Sequence, residues 1–389
     1  MSEPAERYIL LALRLDRHDE GLVESYYGPP ELRARVDAEA PVPPAELVAE
    51  ADRLLEELPE GWLRDQVGGV RARAGMVAGE TWTYADEVTA CFGTRPTRTT
   101  EDQLEAAYAD LEGLLPGPGS LAERYRAWEH ATQVPPDGVP AFVDRVIEVS
   151  REHARRLFGL EQDAGFTVEY VRGESWMAFH EYLGDLRATV SVNADLPRSA
   201  VELLHTVLHE TYAGHHVEAC LKETGLVRDR GLVESSIVVV PTPQSLVSEG
   251  LAEVGPSLLL DGPDRATYAG LVRDAGVDTD FARDRAVAAA VEPVQRIGAD
   301  AGRLMYEEGW STSEVLEYLD RWALVDRAIL ENVVRFVAEP MNRGYINCYP
   351  QGRARCGEYL GHDPGVRLAR FRTLVTEQVR VGDLVGPEL

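Results

Sequence analysis

The chain is short of cysteine, of long apolar runs and of positive charge, and each shortage excludes a class of protein or of partner. The four cysteines among its 389 residues are irregularly spaced and form no Cys-x-x-Cys pair, so we expect free thiols in a reducing compartment rather than a disulfide framework. No run of about 18 apolar residues is present, so no membrane-spanning helix is expected. The N-terminal segment has acidic residues before its short apolar run and lacks the basic start of a signal peptide, which favours a cytoplasmic location.

Positive charge is also scarce. The 66 acidic residues outnumber the 39 basic ones, which gives a formal net charge of −27, and Lys222 is the single lysine. A chain this acidic is repelled by nucleic acids and by anionic membranes, so neither is an expected partner. The acidity fits either a salt-loving host or an ordinary acidic cytosolic protein. The sequence leaves both open, and it leaves the oligomeric state unknown.

The pattern of apolar residues predicts a mainly α protein with a small antiparallel β-sheet. Residues 1–160 read as helices separated by Pro/Gly turns, and residues 161–389 form a second region. This second region is predicted to contain, in order, a sheet over 165–195 that ends at Asp195-Leu196-Pro197, a helix over 199–224, and C-terminal helices over 244–389. Capping-box patterns mark two helix starts: Thr100 with Gln103, and Ser311 with Glu314.

The most informative stretch is His209-Glu210-Thr211-Tyr212-Ala213-Gly214-His215-His216, which lies in an apolar helical pattern. A His-Glu pair followed within two turns by another His is typical of zinc hydrolases. In them the imidazoles bind the metal, and the carboxylate beside the first imidazole deprotonates the metal's water. The usual second position, four residues after His209, is Ala213 here. The pattern therefore predicts Zn²⁺ at His209 with Glu210 as general base, and leaves the second ligand open.

The second histidine ligand is either His215 or His216. On an ideal helix His216 lies within about 20° of His209 but about 10.5 Å further along the axis, and His215 lies about 120° away. Neither reaches the same ion without a distortion, and a bulge at Ala213-Gly214 would supply one. His215 needs fewer inserted residues and is favoured, with His216 as the alternative. A buried helix end with a surface pair of histidines is the non-functional alternative.

The third ligand is expected from Ser248-Glu249-Gly250-Leu251-Ala252-Glu253, because catalytic zinc keeps three protein ligands and one open position. Glu249 and Glu253 share one helix face in an otherwise apolar segment, which is unusual for a surface. We expect Glu249 to bind the metal and Glu253 to hydrogen-bond a histidine ligand from outside. The alternative is a solvated acidic face.

The two motifs together resemble the bacterial family called "domain of unknown function 885". Its motifs run His-Glu-x-x-Pro-Gly-His-His and Glu-Gly-x-Ala-x-x-x-Glu, and it is grouped with the gluzincin metallopeptidases. The specific matches lie in 205–255 and, more weakly, in 340–360. The family proline is Ala213 here, and the second glutamate, Glu253, comes earlier than the family pattern often places it.

The resemblance implies a zincin-like fold, metal at His209 and Glu249, and a catalytic Glu210. The expanded motif His-Glu-x-x-Gly-His of the dipeptidyl peptidase III family, in which the histidine after glycine is the ligand, is similar too. It implies His215 as the second ligand.

Other polar residues are weaker candidates. Tyr345, Tyr349 or Arg343 could donate a hydrogen bond to a developing oxyanion, with core packing as the alternative for each. A Tyr-x-x-Gly near the C-terminus also recurs in the family that the chain resembles. His205 could pair with His209 on a metal by spacing, but packing beside it is favoured, and His180 is interpreted as structural. A redox or metal pair of Cys348 and Cys356 is not expected.

These observations predict a zinc-dependent hydrolase of peptide or similar amide bonds, whose partner is a peptide or small amide substrate. The strand LRATVSVN is a candidate for the sheet edge that binds an extended substrate by backbone pairing. Two alternatives remain: hydrolysis of esters or non-peptide amides by the same machinery, and a non-catalytic binding protein that has kept the helix.

Overall fold

The computed structural model describes residues 2–173, 176–193, 198–340 and 342–386. Helices predominate over these residues, which confirms the mainly α class. The helices before the sheet are α1 (Glu3–Asp16), α2 (Pro30–Ala38), α3 (Pro44–Glu57), α4 (Trp62–Val77), α5 (Tyr84–Phe92), α6 (Glu101–Leu114), α7 (Leu121–Ala131) and α8 (Val139–Phe158). A short strand, β1 (Val23–Tyr26), lies between α1 and α2. The capping box predicted at Thr100 and Gln103 is present at the start of α6.

The sheet that follows has three strands: β2 (Gly165–Val171), β3 (Ala178–Gly184) and β4 (Arg187–Asn193). The alternation predicted for β4 is confirmed, since Ala188, Val190 and Val192 are buried. The pairing differs from the expectation, because β3 is antiparallel to β4 but β2 is parallel to it. Alternation along a strand reports which face is buried and carries no information about the neighbouring strand's direction.

The strand order β2-β4-β3 corrects a second expectation, that the LRATVSVN segment lies at the sheet edge. A tight turn at Asp185 and Leu186, both with positive φ, folds β3 back against β4, and β2 occupies the other side. The strand is therefore central, and β2 and β3 are the edges. The predicted end of the sheet at Asp195-Leu196-Pro197 lies outside the described residues.

The predicted motif helix over 199–224 is divided in two. Its parts are α9 (Ala200–Glu210) and α10 (His215–Lys222), and α10 continues into a π-helical turn over Glu223–Asp229. Strand β5 (Ile237–Val239) then pairs antiparallel with β1. The C-terminal helices are α11 (Pro243–Leu260), α12 (Arg265–Asp274), α13 (Phe281–Gln295), α14 (Ile297–Tyr306), α15 (Thr312–Trp322), α16 (Arg327–Ala338), α17 (Asn342–Tyr345), α18 (Cys348–Leu360) and α19 (Pro364–Thr376).

Two hydrophobic clusters hold these elements together. The smaller cluster contains buried residues of helices α1, α2, α3 and α4 together with Ile237 and Val239 of β5. The larger one packs helices from both halves of the chain around α9 and α11. The division into regions 1–160 and 161–389 stays a prediction. No helix over the described residues is long and apolar enough to cross a membrane.

Helices α11 and α18 approach each other closely because glycines face each other at their crossing. A methyl group added at Gly352 would lie 2.5 Å from the carbonyl oxygen of Leu246 and 2.8 Å from the Cα of Gly250. Backbone atoms cannot move aside as a flexible side chain can. The contact therefore fixes the distance of α18, and of the preceding α17, from the helix that carries Glu249.

We predict that Gly352→Ala destabilises the protein by about 1–3 kcal/mol, the usual cost of overpacking a tight core contact. Urea unfolding measures the change. Gly357→Ala is the matched control, since a methyl group there would lie 3.9 Å from Val254 on the same helix pair. Equal stability of the two variants would contradict the close-contact argument.

Candidate metal centre

The interruption between α9 and α10 brings His215 back to His209. The backbone N–H of Ala213 donates to the carbonyl of Leu208 at 3.1 Å, five residues back instead of four, and the helix then breaks until His215. A Cβ on Gly214 would collide with the carbonyl oxygen of His209, so only glycine fits. The distortion predicted at Ala213-Gly214 is thus present, as a break between two helices rather than a bulge within one.

Three predicted ligands converge across this break. The Nε2 atoms of His209 and His215 lie 3.1 Å apart. Nε2 of His209 lies 3.5 Å from Oε2 of Glu249, and Nε2 of His215 lies 3.7 Å from its Oε1. Zinc bonds of 2.0–2.2 Å in a tetrahedral arrangement give ligand separations of about 3.3–3.6 Å. The three measured separations lie within a few tenths of an ångström of this range, so the side chains are close enough to share one zinc ion.

An unpartnered buried oxygen also fits a cation at this position. Glu249 is 6% exposed, and its Oε2 atom has no hydrogen-bond partner among the described residues. Its other oxygen, Oε1, accepts a hydrogen bond of 2.5 Å from the hydroxyl of Tyr345. A buried carboxylate oxygen without a donor is costly unless a positive charge compensates it.

The pKa values in the site reflect its excess of carboxylates. Burial alone lowers the pKa of His209, but the interactions with Glu249, Glu210 and Glu253 outweigh it and raise the pKa to about 9. Burial raises the pKa of Glu249, but His209, His215 and Tyr345 outweigh it and hold that pKa below its usual value. The carboxylates around His209 thus favour a positive charge at this position.

Glu210, the last residue of α9, lies beside the three ligands. It is 8% exposed, and burial is the main reason why its pKa is raised. The charges of Glu249 and Glu253 raise that pKa further, whereas His209 and His215 oppose the rise. A carboxylate with a raised pKa next to a metal site is suited to accepting and returning a proton.

Glu253 lies behind His209, as predicted. Its Oε1 is 3.5 Å from Nδ1 of His209, and its Oε2 is 3.7 Å from Nε2 of His205 and accepts a hydrogen bond from Arg353 at 3.2 Å. Burial raises the pKa of Glu253, but His205, His209 and Arg353 lower it to about 2. In the neutral ring of His209, an ionised Glu253 favours the proton on Nδ1, which would leave Nε2 free for a metal.

The two tyrosines predicted near the site are there, and the arginine is not. Tyr345 contacts Glu249 directly, and the ring of Tyr349 packs edge-on against that of Tyr345 at 5.7 Å. Burial raises the pKa of Tyr349 well above its usual value, and the charges of Glu249 and Glu210 add to this, so its hydroxyl keeps its proton. Arg343 instead donates to Glu87 at 3.0 Å, so it is not an oxyanion donor here.

His216 does not lie with the ligands, which corrects its inclusion among the predicted metal-binding residues. Its Nδ1 is 3.3 Å from Nε2 of His180, and its Nε2 is 3.5 Å from Sγ of Cys220. The side chain is fully buried. The geometry brings His215, the favoured alternative, to the site because the break in the helix turns that residue toward His209.

Two residues near the site were missed from the sequence. His180 of β3, interpreted as structural, stacks its ring 6.2 Å from that of His215. Glu24 occupies an irregular position in the pairing of β1 with β5, of the kind that turns a side chain out of the ladder. Burial raises the pKa of Glu24 to about 8, and the charges of Glu249, Glu210 and Glu181 contribute. No motif in the sequence connects either residue with the histidines.

We predict that Glu24→Gln stabilises the metal-free protein at pH 8 more than at pH 5. The folded chain holds the Glu24 proton up to a pKa of about 8, whereas the ordinary value is 4.5, so wild-type stability falls as pH rises between these values. The difference should grow by no more than about 1.4 kcal/mol per pH unit. Urea unfolding with a chelator measures it, and Glu20→Gln on the exposed neighbouring turn is the control. A difference between variant and wild type that does not grow from pH 5 to pH 8 would contradict the assignment.

No family model matches the chain, and no curated protein matches it. A solved structure described as "BsuCP Crystal Structure" aligns with 96% of this chain and 86% of its own chain, at 11% sequence identity and a TM-score of 0.41. A likeness of this size supports no argument about fold or function. The resemblance to the domain of unknown function 885 family stays a prediction.

Proposed function

We propose that this protein is a zinc-dependent hydrolase of peptide or related amide bonds. The observation that carries the proposal is the convergence of two imidazole nitrogens and an unpartnered carboxylate oxygen beside a buried glutamate. The motif resemblance to a gluzincin-like family supports the same chemistry. A cytoplasmic location remains part of the proposal.

His209, His215 and Glu249 would hold the metal. Zinc bound there would supply a Lewis acid that polarises a carbonyl oxygen and makes a water molecule more acidic. Neighbouring residues of the protein orient the side chains that would bind the metal. Glu253 holds the ring of His209, and the Tyr345 hydroxyl fixes one oxygen of Glu249, which leaves the other oxygen available.

Glu210 acts as the general base. Its carboxylate accepts a proton from the attacking water and then passes that proton to the leaving amine. Its raised pKa brings its proton affinity closer to neutral pH, where this transfer works best. Tyr349 is the proposed oxyanion donor, because its strongly raised pKa keeps its hydroxyl protonated while the carbonyl oxygen gains charge.

An extended substrate is proposed to lie along β3, the sheet edge beside the site. His180 of this strand stacks near His215, and Phe179 and Leu183 are exposed apolar residues on the strand's other face. The hydroxyl of Ser25 already donates to the carbonyl of Tyr182 at 2.6 Å. Backbone pairing with a substrate is therefore expected at the first residues of β3 rather than along its whole length.

We predict that protein purified without an affinity tag binds about one zinc ion per chain, and that His209→Ala and His215→Ala lose it. His216→Ala should retain most of the metal, since its ring contacts His180 and Cys220 instead. Elemental analysis after dialysis gives the metal content. Equal, negligible metal in wild type and His209→Ala would refute the metalloenzyme proposal, and retention by His215→Ala would refute that ligand.

We predict that two glutamate-to-glutamine changes impair different properties, turnover in one variant and metal binding in the other. Glu210→Gln keeps the side chain's size but cannot accept a proton, so metal content should stay near wild type while kcat falls about 10²–10⁴-fold. Glu249→Gln should weaken metal binding itself, because a neutral amide is a poorer zinc ligand than a carboxylate. A substrate panel of peptides, other amides and esters, with zinc titration of both variants, provides the measurement. An active Glu210→Gln enzyme would overturn the general-base assignment.

A further inference from the structure

We propose that Lys222, Glu218 and Ser248 form a relay that orients His215 and keeps its Nε2 atom free of a proton. The inference rests on the proposed zinc site, but it concerns residues to which neither motif assigns a role. Lys222 and Glu218 lie on α10, and Ser248 precedes the proposed ligand Glu249 on α11. The argument starts at the lysine and ends at the imidazole.

Lys222 is buried, which is rare for a lysine and requires a partner. It is 8% exposed, and its ammonium donates to Oε1 of Glu218 at 2.6 Å. Glu218 is 5% exposed, so the two charges compensate each other away from water. Removing one partner of such a pair leaves the other charge uncompensated. The single lysine of the chain thus donates its hydrogen bond to a buried carboxylate.

The carboxylate of Glu218 is the acceptor in all three of its side-chain hydrogen bonds, which sets the direction of the rest of the relay. Oε1 of Glu218 accepts from Lys222 and from the side-chain amide of Gln244 at 2.9 Å. Oε2 of Glu218 accepts a hydrogen bond from the hydroxyl of Ser248. Because the hydroxyl proton is directed at Glu218, the oxygen of Ser248 is left as an acceptor.

That oxygen faces His215. Oγ of Ser248 lies 3.4 Å from Nδ1 of His215, so Nδ1 must carry the ring proton for this contact to be a hydrogen bond. Nε2 then has its lone pair free, and it lies 3.1 Å from Nε2 of His209 and 3.7 Å from Oε1 of Glu249. The relay therefore selects the tautomer that can bind metal.

His209 and His215 each have an acceptor beside Nδ1, but different residues supply it. Glu253 contacts Nδ1 of His209 directly, whereas the carboxylate of Glu218 reaches Nδ1 of His215 through the Ser248 hydroxyl. Each ring thus has an acceptor on its outer nitrogen. Ser248 is a positioning residue, because it acts on the metal only through His215.

The test compares zinc affinity in variants that remove or keep the Ser248 hydroxyl. Zinc Kd is measured by competition with a chromophoric chelator. Ser248→Ala should weaken zinc binding about 10- to 100-fold, the usual effect of losing a group that orients a metal ligand. Ser248→Thr keeps a hydroxyl and should bind zinc within a few-fold of wild type. Ser257→Ala, on the same helix and hydrogen-bonded to Arg367 instead, is the control and should not change the Kd.

A second readout needs no metal. In metal-free protein labelled with ¹⁵N-histidine, and with His215 assigned from its loss in His215→Gln, the nitrogen shifts should identify Nδ1 as the protonated atom. Ser248→Ala and Lys222→Met should shift the ring toward a mixture of tautomers. Unfolding of each variant by urea verifies that it is folded.

The outcomes separate this inference from the proposed function. Zinc binding by wild type with the same Kd in folded Ser248→Ala would overturn the relay and leave the hydrolase proposal intact. Absence of zinc binding by wild type would overturn the hydrolase proposal, and the tautomer of His215 would then decide the relay alone. A proton on Nε2 of His215 in metal-free wild type would overturn the relay in either case.

Discussion

The candidate site depends on one backbone constraint, the close packing of the break between α9 and α10 against α11. A Cβ on Gly214 would collide with the carbonyl of His209, and a Cβ on Gly255 of α11 would collide with the carbonyl of Ala213. Two glycines thus let the chain turn sharply and let a neighbouring helix rest on the turn. Helix α11 carries Ser248, Glu249 and Glu253. Its close packing against the break therefore also fixes the distance of these residues from the two histidines.

The second constraint is electrostatic. Glu24, Glu210 and Glu249 are brought together in a part of the protein where burial penalises charge, and pKa values shift toward proton uptake on Glu24 and Glu210 and on His209. The pKa of Glu253 is lowered instead, because two histidines and Arg353 compensate its charge. A divalent cation among the three ligands would replace the proton on His209 and relieve the repulsion between carboxylates. The same charge distribution would attract positively charged species generally, so any selectivity among metals would have to come from the two imidazoles.

The sequence predicts the parts of this site that follow from short-range spacing. His209, Glu210, Glu249 and Glu253 could be selected because each motif lies within one or two helical turns, where 3.6-residue periodicity defines the shared face. The need for a distortion at Ala213-Gly214 also followed from helix geometry. The choice between His215 and His216 could only be weighted, because it depends on the direction in which the break turns the chain.

Contacts between distant segments were beyond such reasoning. Glu24 and His180 reach the site from strands whose pairing is set by the tertiary fold, and the parallel placement of β2 beside β4 has the same origin. An alternating pattern is compatible with either edge or central position, so the central place of β4 could not be read from it. The prediction of Arg343 as an oxyanion donor is wrong for a related reason. Its guanidinium donates a hydrogen bond to Glu87 of α5, a contact between distant segments of the chain.

The lysine at position 222, in a chain whose other strongly basic residues are arginines, suits the hydrogen bonds that Glu218 accepts. The carboxylate already accepts from Gln244 and Ser248, so the remaining donor must be compact and direct one hydrogen at Oε1. An ammonium group meets this requirement, because it is a point charge at the end of a flexible stem. A guanidinium would present five donors in a planar fork, and in this buried position most of them would lack acceptors. The composition of the rest of the chain favours arginine, so the exception at Lys222 is best explained by the geometry of its one buried partner.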